Sequence, residues 1–211
     1  MNLFIQPYLE QLPHWPQTGQ HILAQSDNDS IVVYQAYRAS IAQYAVEHQQ
    51  FGGDFSYSRM SWIKPNFLWM MFRSGWAAKE GQEHILAIKL RRTFFDEILE
   101  AAVASTFSAS GFEGHEEWQL AVANSDVRLQ WDPDHDPHGA CVTRRAVQLG
   151  LRGEMLRRYG TEAILSIEDI TPFVIEQRAH LQNELSNLQT PAERLYKPST
   201  EAARQSVRID S

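Results

Sequence analysis

The run Ile31-Val32-Val33-Tyr34-Gln35-Ala36-Tyr37 restricts the fold more than any other segment. Its β-branched and aromatic residues predict a strand. Helical spacing follows at once: Ile41, Tyr44, Ala45 and His48 stand at i, i+3, i+4 and i+7, and Gly52-Gly53 stops the pattern. No regular βαβ alternation continues this strand and helix. Neither Gly-x-Gly-x-x-Gly nor a Walker pattern occurs, which sets aside Rossmann and P-loop enzymes.

The later segments mix types. Pro65 starts a helix whose apolar face is Phe67, Leu68, Met71 and Phe72, closed by Gly75. His84 to Leu90 reads as a strand, Phe94 to Val103 as a helix, and 104–114 as a loop that carries into Glu116 and Glu117. Val127 to Trp131 alternates like a strand and runs into the turn-rich stretch from Asp132 to Gly139. Val142 to Leu151 fits either a strand or the start of a helix. Leu151 to Tyr159 is helical, Ala163 to Ile167 a short strand, and Thr171 to Leu188 a long helix. This order predicts an α+β fold: one compact domain with a mixed or antiparallel central sheet and flanking helices. Prolines 7, 13 and 16 mark residues 1–30 as an irregular arm, 31–190 as the globular domain, and 191–211 as a polar tail. A length of 211 residues suits one domain with a full core.

Charge narrows the partners. The net charge of −7 argues against a uniform basic face for duplex DNA. Yet no Lys or Arg precedes Arg38, whereas 59–92 holds seven basic residues against two acids, and 144–158 holds five Arg against one Glu. Such local clustering in an acidic chain points to an anion site; the competing reading is a set of solvated faces. Cys141 is the sole cysteine, so an intramolecular disulfide and a Cys-based zinc site are excluded, and a reducing, cytoplasmic setting is expected. The N-terminus lacks the features of a secretory signal, and no apolar stretch is long enough to span a bilayer.

Three constellations carry chemistry. From Arg59 to Trp76, two arginines, Lys64 and three tryptophans (Trp62, Trp69, Trp76) lie within eighteen residues. Arg forks bind phosphate and indole faces stack on bases or nicotinamide; the alternative is a buried aromatic helix with snorkelling cations. Asp132, Asp134 and His135 belong to a carboxylate- and imidazole-rich stretch that could bind a divalent ion, or be an Asx-stabilised turn, and no metal is predicted. In the segment from Arg144 to Gly153, alternation puts Arg145, Val147 and Leu149 on one side and Arg144, Ala146, Gln148 and Gly150 on the other. Gln148 is then a polar candidate for recognising an amide or base edge. Cys141 has His138 three residues away and no other sign of a nucleophile.

The runs Val33–Tyr37, Arg59–Met71 with Arg73-Ser74-Gly75-Trp76, Gln130–His135 and Arg144–Arg152 resemble the DUF4291 family, a domain of unknown function, over nearly the whole chain to about Leu188. A more distant resemblance is to ADP-ribosyltransferases, whose opening strand carries an NAD-holding residue and leads into a helix ending in Gly. That resemblance implies that Gln35 takes the NAD-holding position and Gln148 falls near the catalytic strand. Both depart from the usual His-Tyr-Glu or Arg-Ser-Glu sets. The combined expectation is an NAD- or nucleotide-handling enzyme. Gln35 and Gln148 would be its catalytic residues, with Tyr34, Arg38, Arg59, Trp62, Lys64, Arg73, Trp76 and Arg145 around the ligand and nucleic acid or a small molecule as acceptor. The alternatives are a module binding single-stranded nucleic acid or a protein partner, and a metal-dependent phosphodiesterase.

Overall fold

The computed structural model describes residues 3–210. The chain begins with β1 (Ile5–Pro7), α1 (Tyr8–Gln11), β2 (Leu23–Ala24), β3 (Ser30–Tyr37) and α2 (Ala39–His48). Next come β4 (Ser61–Ile63), α3 (Phe67–Ser74), β5 (His84–Arg91), α4 (Arg92–Glu100), β6 (Ala102–Ala104), α5 (Phe107–Ser110) and α6 (His115–Asn124). β7 (Val127–His135), β8 (Cys141–Leu151), α7 (Gly153–Thr161), β9 (Ile164–Asp169) and α8 (Thr171–Asn183) follow. The chain closes with β10 (Gln189–Pro191), β11 (Arg194–Leu195) and α9 (Glu201–Val207). This is an α+β fold. Among the described residues no helix is long and apolar enough to cross a membrane.

The mixed and antiparallel pairing expected from the sequence is present, divided between two larger sheets and two two-stranded ones. One of the larger sheets is antiparallel, in the order β3-β5-β9; the other runs β4-β8-β7-β6, with β6 parallel to β7. They meet where Tyr34 N–H donates to the Lys64 carbonyl at 2.7 Å and Lys64 N–H donates to the Tyr34 carbonyl at 3.3 Å. The near-continuous apolar character of β3 and β5 has a simple cause: both faces of their sheet are buried. Ile31, Val33, Leu86, Ile88 and Leu90 enter one core with α4, α7 and the second sheet. Val32, Tyr34, Ile85 and Ala87 enter another with α3, α8 and the N-terminal segment.

α3 forms because Pro65 and Asn66 start it and Gly75 ends it. The Asn66 side chain accepts from Trp69 N–H at 2.7 Å, and Gly75 adopts φ 59°, a left-handed stop that suits glycine. The buried Glu193 carboxylate adds a second cap, accepting from Phe67 N–H at 2.6 Å and from the Asn66 amide at 3.1 Å. Asn66→Ala removes both the cap and one partner of Glu193. It is expected to cost about 1–2 kcal/mol by chemical denaturation; a loss of only a few tenths would mean that Glu193 alone holds the helix start.

Several segments depart from the sequence reading. Residues 3–30, the described part of the expected arm, are not irregular throughout: β1 pairs with β10, β2 pairs with β11, and Tyr8, Trp15 and Leu23 fill the second core. The prolines do break this segment, but its strands of two or three residues are too short to show periodicity. Residues 191–210 likewise are no free tail, since Tyr196, Ala203 and Val207 are buried in the first core. α4 stops at Glu100, and the small residues after it form β6. α5 falls within the 104–114 stretch expected as a loop, and α6 holds Glu116 and Glu117, expected to be loop-like; none of α6's residues is fully buried and no apolar stripe marks it. Residues 141–151 are a strand, and β7 continues through Pro133 to His135. Pro133 sits at the register shift, where its missing N–H costs no ladder bond. α8 ends at Asn183, with Leu185–Asn187 forming a single 3₁₀ turn before the buried Leu188.

Candidate active site

Where the two sheets meet, a cleft of about 660 Å³ opens between the C-terminal half of β3, the 54–64 segment, α3, and the facing strands β7 and β8. Gln35, Arg38, Arg59, Trp62, Lys64, Arg73 and Gln148 all line it, although they come from four separate stretches of the chain. The sequence-predicted set is therefore largely one place.

The cleft is lined by Arg59 and Arg73, both exposed, and by Lys64, which is only 4% exposed. None of the three makes an ion pair among the described residues. Arg38 differs, being held by Asp54 at 3.0 Å. The Lys64 ammonium lies 5.4 Å from the centre of the Trp69 ring. Burial, then repulsion from Arg73, pulls its pKa down to about 8, and the nearby Asp132 only partly offsets this.

Gln130 and Gln148, in the same lining, belong to a hydrogen-bonded frame. Gln130 and Gln148 are register partners on β7 and β8. The Gln148 amide donates to Asp132 Oδ2 at 2.7 Å and to Gln130 Oε1 at 3.3 Å, and Gln130 donates to Asp132 Oδ1 at 3.2 Å. Burial raises the Asp132 carboxyl above the ordinary range, opposed by the Gln148 bond, Lys64, Gln130 and Arg145. Trp62 closes the end of the cleft. It packs over Gly150, where a Cβ would fall 3.0 Å from the indole and 2.7 Å from Met60 Sδ, so only glycine lets the ring lie this close to β8.

Gln35 lies at the cleft floor with its amide fully engaged. Its Nε2 donates to Ser61 Oγ at 2.8 Å and to the Trp62 carbonyl at 3.1 Å, while its Oε1 accepts from Tyr159 OH at 2.7 Å. Tyr37 OH completes the group at 2.9 Å from Ser61 Oγ. Gln35 thus fixes β4 against β3.

Three expected ligand contacts lie elsewhere. Tyr34 neighbours Gln35 on an alternating strand, so it points the other way, into the second core. Trp76 is buried beyond Gly75 and donates to the Pro137 carbonyl at 3.1 Å. Arg145 is exposed on the opposite side of β8 and reaches the site only through its charge on Asp132. The alternation expected for β8 itself holds: Val147 and Leu149 enter the core, and Gln148 faces the cleft.

The Asp132–His135 stretch does not converge on one point. Asp132 accepts from Gln130 and Gln148, Asp134 pairs with Arg144, and His135 stacks on Phe72 with ring centres 3.5 Å apart. Among the described residues no three His, Cys, Asp or Glu side chains are placed to hold a metal ion. The neighbour of Cys141 is His135, with Sγ 3.6 Å from Nε2, and not His138. Gln130, Ser61, Tyr37 and Asp54 were not foreseen as site residues. For Gln130 a signal existed, since its spacing from Asp132 puts both on one strand face.

The family model described as "Domain of unknown function (DUF4291)" matches residues 21–196. The chain belongs to the DUF4291 family. No curated protein matches it. The whole cleft, from Gln35 to Gln148, falls inside the DUF4291 match, as do the strands β2 and β11 that the sequence reading placed in the arm and the tail.

Proposed function

We propose that this DUF4291 domain is a nucleotide- or NAD-handling enzyme and that the cleft is its active site. One observation carries the reading: Arg59, Lys64 and Arg73, all without an ion pair among the described residues, line a cleft in a chain of net charge −7. Cations left unpaired on a concave surface call for an anionic ligand. A volume of about 660 Å³ lies within the size range of small-molecule sites. The two arginines supply phosphate contacts, Trp62 an indole at the cleft's end, and Asp132 with Gln148 a polar frame for a ribose or base edge.

The finer reading is ADP-ribosyltransferase-like transfer to a nucleic acid or small acceptor, in a cytoplasmic setting. It is supported by Gln35 and Gln148, the two positions that the resemblance pairs, lining the same cleft. The binding-module alternative has less support, because Trp69 and Trp76 are buried and only Trp62 is left to stack on a base in the cleft.

A thermal-shift titration with NAD, ADP-ribose and AMP tests the reading. The expected result is stabilisation by at least one of them, with affinity falling about tenfold in Arg59→Ala and in Arg73→Ala. No shift with any of the three at millimolar concentration would overturn it.

A further inference from the structure

Lys64 is held more rigidly than an anion-steering lysine needs to be. Its N–H and carbonyl are both bonded to Tyr34 across the junction of the sheets, and Pro65 fixes the next residue. The side chain is buried yet lines the cleft, and no hydrogen-bond acceptor for its amine stands among the described residues. Trp69 screens one side and Arg73 repels a proton from another. Burial beside a second cation is how a lysine amine is kept available as a nucleophile. Asp132 lies near enough to feel its charge, in a frame of two glutamines that fixes the carboxyl group.

Resting on the reading of the cleft as a site for phosphate-bearing ligands, we propose that Lys64 is its nucleophile, forming an imine with the aldehyde carbon of a phosphorylated reducing sugar whose phosphate is held by Arg59 and Arg73. The Lys64 Nζ lone pair attacks the sugar C1, and the C=O π pair moves to oxygen. A proton passes from nitrogen to that oxygen, leaving a neutral carbinolamine. A proton from solvent then passes to the hydroxyl, which leaves as water while the nitrogen lone pair forms C=N. The resulting iminium keeps on Lys64 the positive charge that Asp132 favours there. Addition of water reverses the sequence, and no oxidant or reductant is consumed.

The test is reductive trapping of the full chain with ribose 5-phosphate or ADP-ribose and cyanoborohydride, read by intact mass and peptide mapping. NAD, whose ribose C1 carbons are both blocked, serves as the unreactive control. The chain has only four lysines, Lys64, Lys79, Lys89 and Lys197, so the background is small. The expected product carries the sugar less one oxygen on Lys64, formed about tenfold or more faster than on the other three. Lys64→Arg is expected to lose the adduct, while binding of ADP-ribose is read independently from the melting shift of the unmutated chain. Trapping spread over all four lysines, or absent while ADP-ribose binds, would overturn the imine and leave the anion-site reading standing. Absence of both trapping and binding would overturn the two together. Mapping of the unmutated chain decides the matter even if a variant fails to fold.

Discussion

Arg144→Met is expected to lower the unfolding free energy by roughly 3–5 kcal/mol, the usual cost of stranding one partner of a buried ion pair. Arg144 Nε lies 2.5 Å from Asp134 Oδ2, and both side chains are almost wholly buried. The guanidinium also ties the N-terminal segment to β8, through the Pro16 carbonyl at 3.4 Å and the Trp15 ring at 5.1 Å. Burial already pushes the Asp134 carboxyl up, and Arg144 is the largest influence holding it down. Without Arg144 that pKa rises further, so the folded variant binds more protons than its unfolded chain. Its stability therefore falls as pH rises past the ordinary carboxylate range, and the deficit is largest at neutral pH. The double variant Asp134→Leu/Arg144→Met buries no charge and is expected to recover most of the loss. Urea denaturation at neutral and mildly acidic pH measures both. A single-variant loss below about 1 kcal/mol, or a double variant no better than the single, would show that the pair is solvated.

The same pair shows where the sequence could be read and where it could not. Strands β3 and β5 were legible because both faces are buried and β-branched residues run without interruption. α3 was legible because Pro65 and Gly75 bracket it. Most of the cleft was legible by residue type, since Arg59, Trp62, Lys64 and Arg73 fall close together in the chain and Gln148 breaks an apolar alternation. What stayed hidden depends on contacts between distant positions. Nothing in residues 1–30 announces that Trp15 would lie over Arg144, or that β1 would pair with a strand near residue 190. α6 lacks an apolar stripe, so no period marks it. Asp132, Asp134 and His135 look alike as metal ligands along the chain. The register shift after Pro133 and the pull of Arg144 separate them.

Lys64→Met is the second substitution with a large expected effect, and its sign is opposite. Met keeps the apolar stem against Trp69 and removes the ammonium. The unfolded chain holds a lysine near 10.5, whereas burial and Arg73 bring the folded group to about 8, with Asp132 as the only carboxylate offsetting them. That difference corresponds to a cost of about 3 kcal/mol at neutral pH, at 1.36 kcal/mol per unit. The variant is therefore expected to unfold at a temperature higher by several degrees. Between about 8 and 10.5 the unfolded wild-type chain binds more protons than the folded one, so wild-type stability rises with pH through that window. The Met variant has no such rise, and the two curves are expected to converge at the alkaline end. Its affinity for ADP-ribose should meanwhile fall with the loss of a cation from the cleft. Greater stability with weaker binding is the signature of a charge kept buried for its chemistry. Melting curves across that pH window provide the measurement. A gap that does not close with pH, or no gain at neutral pH, would place the ammonium in solvent and remove the ground for treating Lys64 as a reactive amine.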